Sequence, residues 1–109
     1  MSADAQTQDV RVLDNPERSR FEILLAGSVA GFASYRRNGD AIVFRHTEVD
    51  PRFEGHGLGS RLAAAALDNA RQRNLAVVPD CPFIAAYIGE HPQYADLVQG
   101  GRTQPRGKQ

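Results

Sequence analysis

Three glycines occupy alternate positions in the segment EGHGLGSRL, at Gly55, Gly57 and Gly59, directly before an alanine-rich stretch. Glycine lets the main chain approach a ligand closely, and the first amides of a following helix have no acceptor within that helix. The positive end of the helix dipole adds to the attraction for phosphate oxygens. The segment therefore predicts an anion-binding loop at the start of a helix.

Two familiar phosphate-binding motifs do not fit this loop. A P-loop requires a lysine followed by serine or threonine, and residues 48 to 62 contain no lysine. A dinucleotide-binding fingerprint requires glycine or alanine where Ser60 stands, and it belongs in a parallel βαβ unit near the start of its fold. A different phosphate-bearing ligand is therefore needed to account for the glycines.

His46 and Glu48 are two residues apart in the segment that precedes the loop. Side chains at alternate positions of a strand project from the same face, so the imidazole and the carboxylate are expected to be neighbours. Such a pair can take a proton from an attacking amine, directly or through water. The same two residues are also ordinary on the solvent side of a sheet, and taken alone they favour that interpretation.

The strands that must position these residues follow from alternating apolar stretches. Residues 10–15 and 20–27 predict a first hairpin. Two further strands flank Asn38-Gly39-Asp40, where we expect a tight turn with positive φ at Asn38 and Gly39. Four consecutive antiparallel strands are the simplest arrangement.

The pattern changes to helical spacing after Pro51. A helix is predicted from Leu58 to Arg73, with Asn74 as its C-cap. Residues 75–81 then predict an inner strand covered on both faces, and a second helix begins at Pro82. The fold class is α+β, with a fifth strand brought beside an earlier one by a helical crossover.

Composition limits the possible classes of protein. The chain has 109 residues, of which 41% are hydrophobic and 24% charged, as in one small globular domain. We expect a single domain at 9–99 with disordered tails at 1–8 and 100–109. Its 13 basic and 13 acidic residues balance, which predicts neither a nucleic-acid partner nor a membrane partner. One cysteine and no signal-peptide pattern predict a cytoplasmic protein, and no motif specifies its oligomeric state.

Three segments in order resemble the small, YjdJ-type N-acetyltransferases of the GNAT superfamily: HTEV (46–49), EGHGLGSRL (54–62) and VVPDCPFIAAYIGEHPQYADLV (77–98). The superfamily's pyrophosphate signature is Arg or Gln, two residues, Gly, any residue, then Gly or Ala. Gly57-Leu58-Gly59 matches it, with Glu54 in place of Arg or Gln. The resemblance implies a minimal GNAT fold, a mostly antiparallel sheet with strands 4 and 5 splayed and helices packed on it.

The resemblance also implies roles for individual residues. Acetyl-CoA is expected where strands 4 and 5 separate, with the backbone N–H of Val49 near the thioester carbonyl. Its pyrophosphate is expected on the residues of the glycine loop: Gly55, His56, Gly57, Leu58, Gly59 and Ser60. Glu48 and His46 are the candidate bases, and Tyr87 is a candidate proton donor to the leaving thiolate or a packing residue. Cys81 is a candidate acetyl-carrying nucleophile, a passive neighbour of the cofactor sulfur, or a buried core residue.

The implied function is acetyl-CoA-dependent transfer of an acetyl group to a primary amine, on a protein lysine or a small molecule, by direct transfer. The alternative is a CoA- or acyl-CoA-binding module with little or no turnover. The resemblance is to short members, so we expect this chain to lack the last strands that close the acceptor side in larger members. We expect no metal ligand, and the acceptor amine is not identified by any motif.

Overall fold

The computed structural model describes residues 9 to 98. The tails predicted at 1–8 and 100–109 lie outside the described residues, as does residue 99. The elements in chain order are β1 (Val10–Asn15), β2 (Arg20–Leu25), β3 (Ser28–Asn38), β4 (Ala41–Val49), a 3-10 turn (Pro51–Phe53), α1 (Leu58–Gln72), β5 (Ala76–Pro79), α2 (Pro82–Glu90) and a 3-10 helix (Pro92–Leu97).

The five strands form one mixed sheet in the order β1-β2-β3-β4-β5. The first four are antiparallel and β5 is parallel to β4, which confirms the predicted α+β class and the helical crossover. The prediction that the fifth strand lies inside the sheet is wrong, because β5 is its last strand. Its apolar residues are nevertheless covered, since Ala76 and Val77 are buried and Val77 makes an isolated parallel bridge to Val98.

The turn between β3 and β4 starts one residue later than predicted. Asn38 is the last residue of β3 and pairs with Ala41, so the loop consists of Gly39 and Asp40. Only Gly39 has positive φ, at 60°. The expected positive φ at Asn38 is therefore wrong, because glycine at the first loop position alone supplies the left-handed conformation that a tight hairpin needs.

Helix α1 ends close to where the sequence predicts. Its cap is Arg73, and Asn74 follows with a left-handed φ of 59°. The Asn74 amide donates to the Arg71 carbonyl at 3.1 Å and the Leu75 amide donates to the Ala70 carbonyl at 2.9 Å. These two bonds form a Schellman motif, which satisfies the last carbonyls of the helix and turns the chain into β5.

The two faces of the sheet differ sharply in character. One carries the core, where strand residues such as Phe44 and Ile23 pack with Leu62 and Leu67 of α1, all fully buried. The other, which we call the open face, carries mostly polar side chains at the alternate positions. Its residues are Arg20, Glu22, Phe32, Ser34, His46 and Glu48.

Two buried tyrosines bond to acidic side chains and so join separate elements. Tyr35 on β3 donates to Asp14 on β1 at 2.5 Å, and Tyr94 in the last 3-10 helix donates to Asp68 on α1 at 2.8 Å. Burial, reinforced by the neighbouring carboxylate, raises the pKa of each phenol to about 12. Among residues 9 to 98, no helix has the length and apolar character needed to cross a membrane.

Candidate functional site

Strands β4 and β5 separate before β4 ends. Their pairing runs from Ala41 opposite Ala76 to Phe44 opposite Pro79, whereas β4 continues to Val49. The last part of β4 therefore borders a gap on the side where β5 has ended. This gap is the splay that the fold class predicts.

A β-bulge in β4 determines which side chains face the gap. His46 lies opposite Ser34 and Phe44 lies opposite Tyr35, so Arg45 is an extra residue on β4. The bulge shifts the alternation by one position. Thr47 and Val49 consequently lie on the same side of the sheet as the buried Phe44, and His46 and Glu48 belong to the open face.

The backbone amide of Val49 is directed into the gap. The Asp50 amide donates to the Ala30 carbonyl on β3 at 2.7 Å. Because successive amides of a strand point to opposite sides, the amide of Val49 is directed away from β3. It is thus available to an acceptor between the separated strands, as the resemblance requires of an acyl-oxygen donor.

The glycine loop enters α1 in a left-handed conformation. Gly55 and Gly57 have φ of 89° and 72°, and Gly57 is the N-cap of α1 without any side-chain capping bond. The first bond inside the helix runs from the Arg61 amide to the Gly57 carbonyl at 3.1 Å. The amides of the first turn therefore have no intrahelical acceptor, and no acidic residue lies in that turn.

Gly59 has a different role from the other two glycines. Its φ is not positive, and an added Cβ would lie 2.9 Å from Cζ of Phe83 on α2. Gly59 therefore allows the Phe83 ring to lie against the start of α1. Two of the three glycines serve the conformation of the loop, and the third serves the contact between the helices.

A cavity of about 360 Å³ lies on this loop, and we call it the glycine-loop cavity. It is lined by Thr47, Val49, Phe53, Glu54, Gly55, Gly57, Leu58, Gly59, Ser60 and Phe83. Six of the seven predicted cofactor-binding residues are among them, whereas His56 is exposed and does not line the cavity. The prediction did not include Thr47, Phe53, Glu54 or Phe83 among the cofactor-binding residues, although strand alternation with His46 and Glu48 indicates that Thr47 faces the other side.

A second cavity, of about 630 Å³, lies beside the first, and we call it the open-face cavity. It is lined by Arg20, Val29, Ala30, Gly31, Phe32, Glu48, Val49, Asp50, Pro51 and Glu54. Val49 and Glu54 line both cavities. The two spaces therefore border the same end of β4, one on the glycine loop and the other beside Glu48.

The structure brings the two candidate general bases, His46 and Glu48, together on the open face. Nε2 of His46 lies 3.7 Å from Oε2 of Glu48, and the two side chains are 59% and 63% exposed. The His46 ring also lies 6.0 Å from the Phe32 ring, measured between centroids. Glu48 lines the open-face cavity, whereas His46 lies beside it on the same face and lines neither cavity.

Cys81 and Tyr87 do not line either cavity. Cys81 is only 2% exposed, and its Sγ lies 3.2 Å from the Thr47 hydroxyl. Tyr87 is half-buried and stacks on His91 with ring centroids 3.9 Å apart, while His91 Nδ1 donates to the Tyr87 carbonyl at 2.8 Å. Burial, with a smaller effect of Asp68, raises the pKa of the Tyr87 phenol.

Comparisons with known proteins agree with this architecture. Residues 20–97 match a family model described as GCN5-related N-acetyl-transferase. Protein NATD1 of Mus musculus is 33% identical over 102 residues, which cover 90% of this chain and 93% of that protein.

Solved structures share the fold. A GCN5-like protein from Staphylococcus aureus, solved by NMR, has a TM-score of 0.64 at 23% identity and covers 83% of this chain and 88% of its own. The ribosomal-protein-S18-alanine N-acetyltransferase from Escherichia coli has a TM-score of 0.52 at 23% identity, covering 70% of this chain and 56% of that one.

Proposed function

The chain belongs to the GCN5-related N-acetyltransferase (GNAT) family, and we propose that it transfers the acetyl group of acetyl-CoA to a primary amine. The observation that carries this proposal is that two cavities share Val49 and Glu54 in their lining. One contains an anion-binding loop and the other contains the carboxylate of Glu48. A transfer between two substrates needs two such spaces in contact.

The residues of the glycine-loop cavity fit the pyrophosphate of CoA. Left-handed Gly55 and Gly57 leave the first-turn amides of α1 without a side-chain cap. Leu58, Gly59 and Ser60 therefore offer N–H groups at the positive end of a helix dipole. Arg61 is exposed beside them and adds a favourable positive charge, and His56 is exposed in the same loop.

The chemistry then divides among residues around the gap. When bound, acetyl-CoA supplies a thioester whose acetyl carbon bonds to the amine nitrogen as its bond to sulfur breaks. We assign the Val49 amide as the donor that stabilises the acetyl oxygen during transfer. Glu48, with His46 beside it, accepts the proton that the amine loses, and Tyr87 is the candidate donor of a proton to the departing sulfur.

Direct transfer is favoured over an acetylated cysteine. Cys81 is 2% exposed, so an acyl group has no open path to its sulfur, whereas Tyr87 is only half-buried. The Thr47 hydroxyl contacts that sulfur and itself lines the glycine-loop cavity. A buried free thiol also fits a reducing compartment, and we place the reaction in the cytoplasm.

The test is an acetyl-transfer assay with a panel of lysine peptides and small amines. Release of CoA thiol and the mass of the acetylated product are measured against protein-free reactions. We expect acetylated amine well above that background. Saturable CoA binding without product across the panel would overturn the proposal in favour of a CoA-binding module.

A further inference from the structure

Glu54 is the residue at which this chain departs from the superfamily's pyrophosphate signature. It lies at the border of the two cavities and lines both. Its side chain is exposed and forms no ion pair or hydrogen bond within residues 9 to 98. Resting on the proposed function, we propose that Glu54, together with Glu48, selects a protonated alkylamine as the acceptor in the open-face cavity.

The cation and one of the acids of this cavity already have partners. Nε of Arg20 lies 2.8 Å from Glu22 Oε2, and its guanidinium lies over the Phe32 ring at 4.6 Å from the centroid. Asp50 accepts two side-chain bonds from Arg52, the shorter at 2.9 Å, and these bonds hold the pKa of its carboxyl below its usual value. Arg20 and Asp50 therefore contribute little net charge to the cavity.

The two remaining acidic residues, Glu48 and Glu54, give the lining of the cavity a net negative charge. Glu48 has only the neighbouring His46 at 3.7 Å, and Glu54 has no cation beside it among the described residues. A ligand entering the cavity thus meets two carboxylates without a fixed counter-charge. Such a field favours a cation and rejects acceptors that carry a carboxylate or phosphate.

The same cavity also has apolar lining residues that suit a hydrocarbon stem. Val29 is 44% exposed, and it lines the cavity with Ala30, Phe32 and Pro51. A space of about 630 Å³ accommodates several methylene groups next to these side chains. An ammonium group on an alkyl stem, as in a lysine side chain or a free diamine, matches both the carboxylates and the apolar side chains of this lining.

This use of Glu54 also accounts for its position beside a phosphate loop. The loop binds through backbone amides, so a side chain at position 54 is not needed to hold the anion. A carboxylate there is expected to weaken CoA binding slightly. Its compensating effect is on the acceptor, which lies on the other side of the same residue.

The experiment is a binding titration without acetyl-CoA, so that a failure of acetyl transfer leaves it unaffected. Cadaverine, a lysine peptide and hexanoate are titrated separately into the protein, and amide NMR shifts of the residues that line the open-face cavity are followed. We expect saturable shifts with both amines and none with hexanoate. The amine with the lower Kd identifies the source of the alkylammonium group.

Variants then test Glu54 itself. Glu54→Gln should weaken amine binding about threefold, as expected for one exposed charge pair, and the effect should shrink in high salt. Glu54→Asp should retain most of the affinity, and Glu90→Gln, at the exposed end of α2, should not change it. Unchanged amine affinity in Glu54→Gln, or equal binding of hexanoate by the wild type, would overturn the proposal.

Discussion

The Thr47 hydroxyl lies 3.2 Å from the Cys81 sulfur and links β4 to the residue that precedes α2. Thr47 lines the glycine-loop cavity, whereas Cys81 is buried and does not. The group presented to the glycine-loop cavity at this point is therefore a hydroxyl. The contact assigns Cys81 to the support of β4.

Cys81→Ala should consequently retain acetyl transfer within about twofold while losing about 1 kcal/mol of stability from the small void it creates. Intact mass spectrometry after incubation with acetyl-CoA alone should show no acetylated protein, since direct transfer needs none. A loss of transfer by more than about 100-fold in folded Cys81→Ala would be the behaviour of an essential nucleophile.

Gly57→Ala tests the glycine loop. Alanine at a left-handed φ costs about 1 kcal/mol of stability, and a methyl group there obstructs the approach of a phosphate. We expect CoA affinity to fall about tenfold or more, measured by calorimetry.

Gly39→Ala is the matched control for that change. Gly39 also has positive φ and has no atom within 4 Å of an added Cβ, but it lies in the hairpin at the opposite end of β4. The Gly39→Ala protein should lose about as much stability as the Gly57→Ala protein and should bind CoA as tightly as the wild type. Equal CoA affinity in Gly57→Ala and Gly39→Ala would show that the glycine loop does not bind CoA.

Tyr87→Phe separates chemistry from packing. The Tyr87 hydroxyl has no hydrogen bond within the described part of the chain, so its removal should leave the free energy of unfolding unchanged. If it protonates the departing sulfur, kcat should fall about 100-fold. A phenol is protonated at neutral pH, as a proton donor requires, and burial raises the pKa of Tyr87 further, which keeps the proton more tightly bound. Unchanged kcat would leave Tyr87 as a packing residue.

Tyr94→Phe should change stability with a defined pH dependence. The folded-state pKa of Tyr94 is about 12, above the 10.0 of an unperturbed tyrosine, so the folded protein holds this proton more tightly than the unfolded chain. The bond to Asp68 therefore stabilises the fold fully below pH 10, by about 1 kcal/mol, and loses its effect as pH rises through 12.

Urea unfolding of the wild type and of Tyr94→Phe between pH 8 and pH 12 measures this directly. The difference between the two proteins should be constant up to about pH 10 and then shrink, while kcat near pH 8 stays the same. A difference that is absent at pH 8, or that grows above pH 10, would contradict the assignment of the bond.

Much of the fold follows from local patterns in the sequence. The alternation of apolar residues locates four strands, and the same period places His46 and Glu48 on one face, where the structure has them 3.7 Å apart. Helical spacing from Leu58 and the left-handed tendency of Asn74 locate α1 to within one residue of its end. These features depend on neighbours in the chain, which is why the sequence predicts them.

The remaining features depend on contacts between distant segments. The bulge at Arg45 places Thr47 against Cys81, a contact that spans 34 residues of sequence. Gly59 is needed because α2 places the Phe83 ring against it, so that an added Cβ at position 59 would lie 2.9 Å from Cζ of Phe83. From the sequence alone, Glu54 is only a departure from the pyrophosphate signature. Its position in the lining of the open-face cavity depends on the folded structure.

The most direct test of the account is an amide NMR titration of the wild-type protein with CoA. The transfer proposal requires CoA to bind at the gap between β4 and β5. We predict saturable shifts centred on Gly57, Leu58, Gly59 and Ser60 and extending to Val49. Absence of binding at millimolar CoA in a folded sample, or shifts confined to residues away from the glycine-loop cavity, would contradict it.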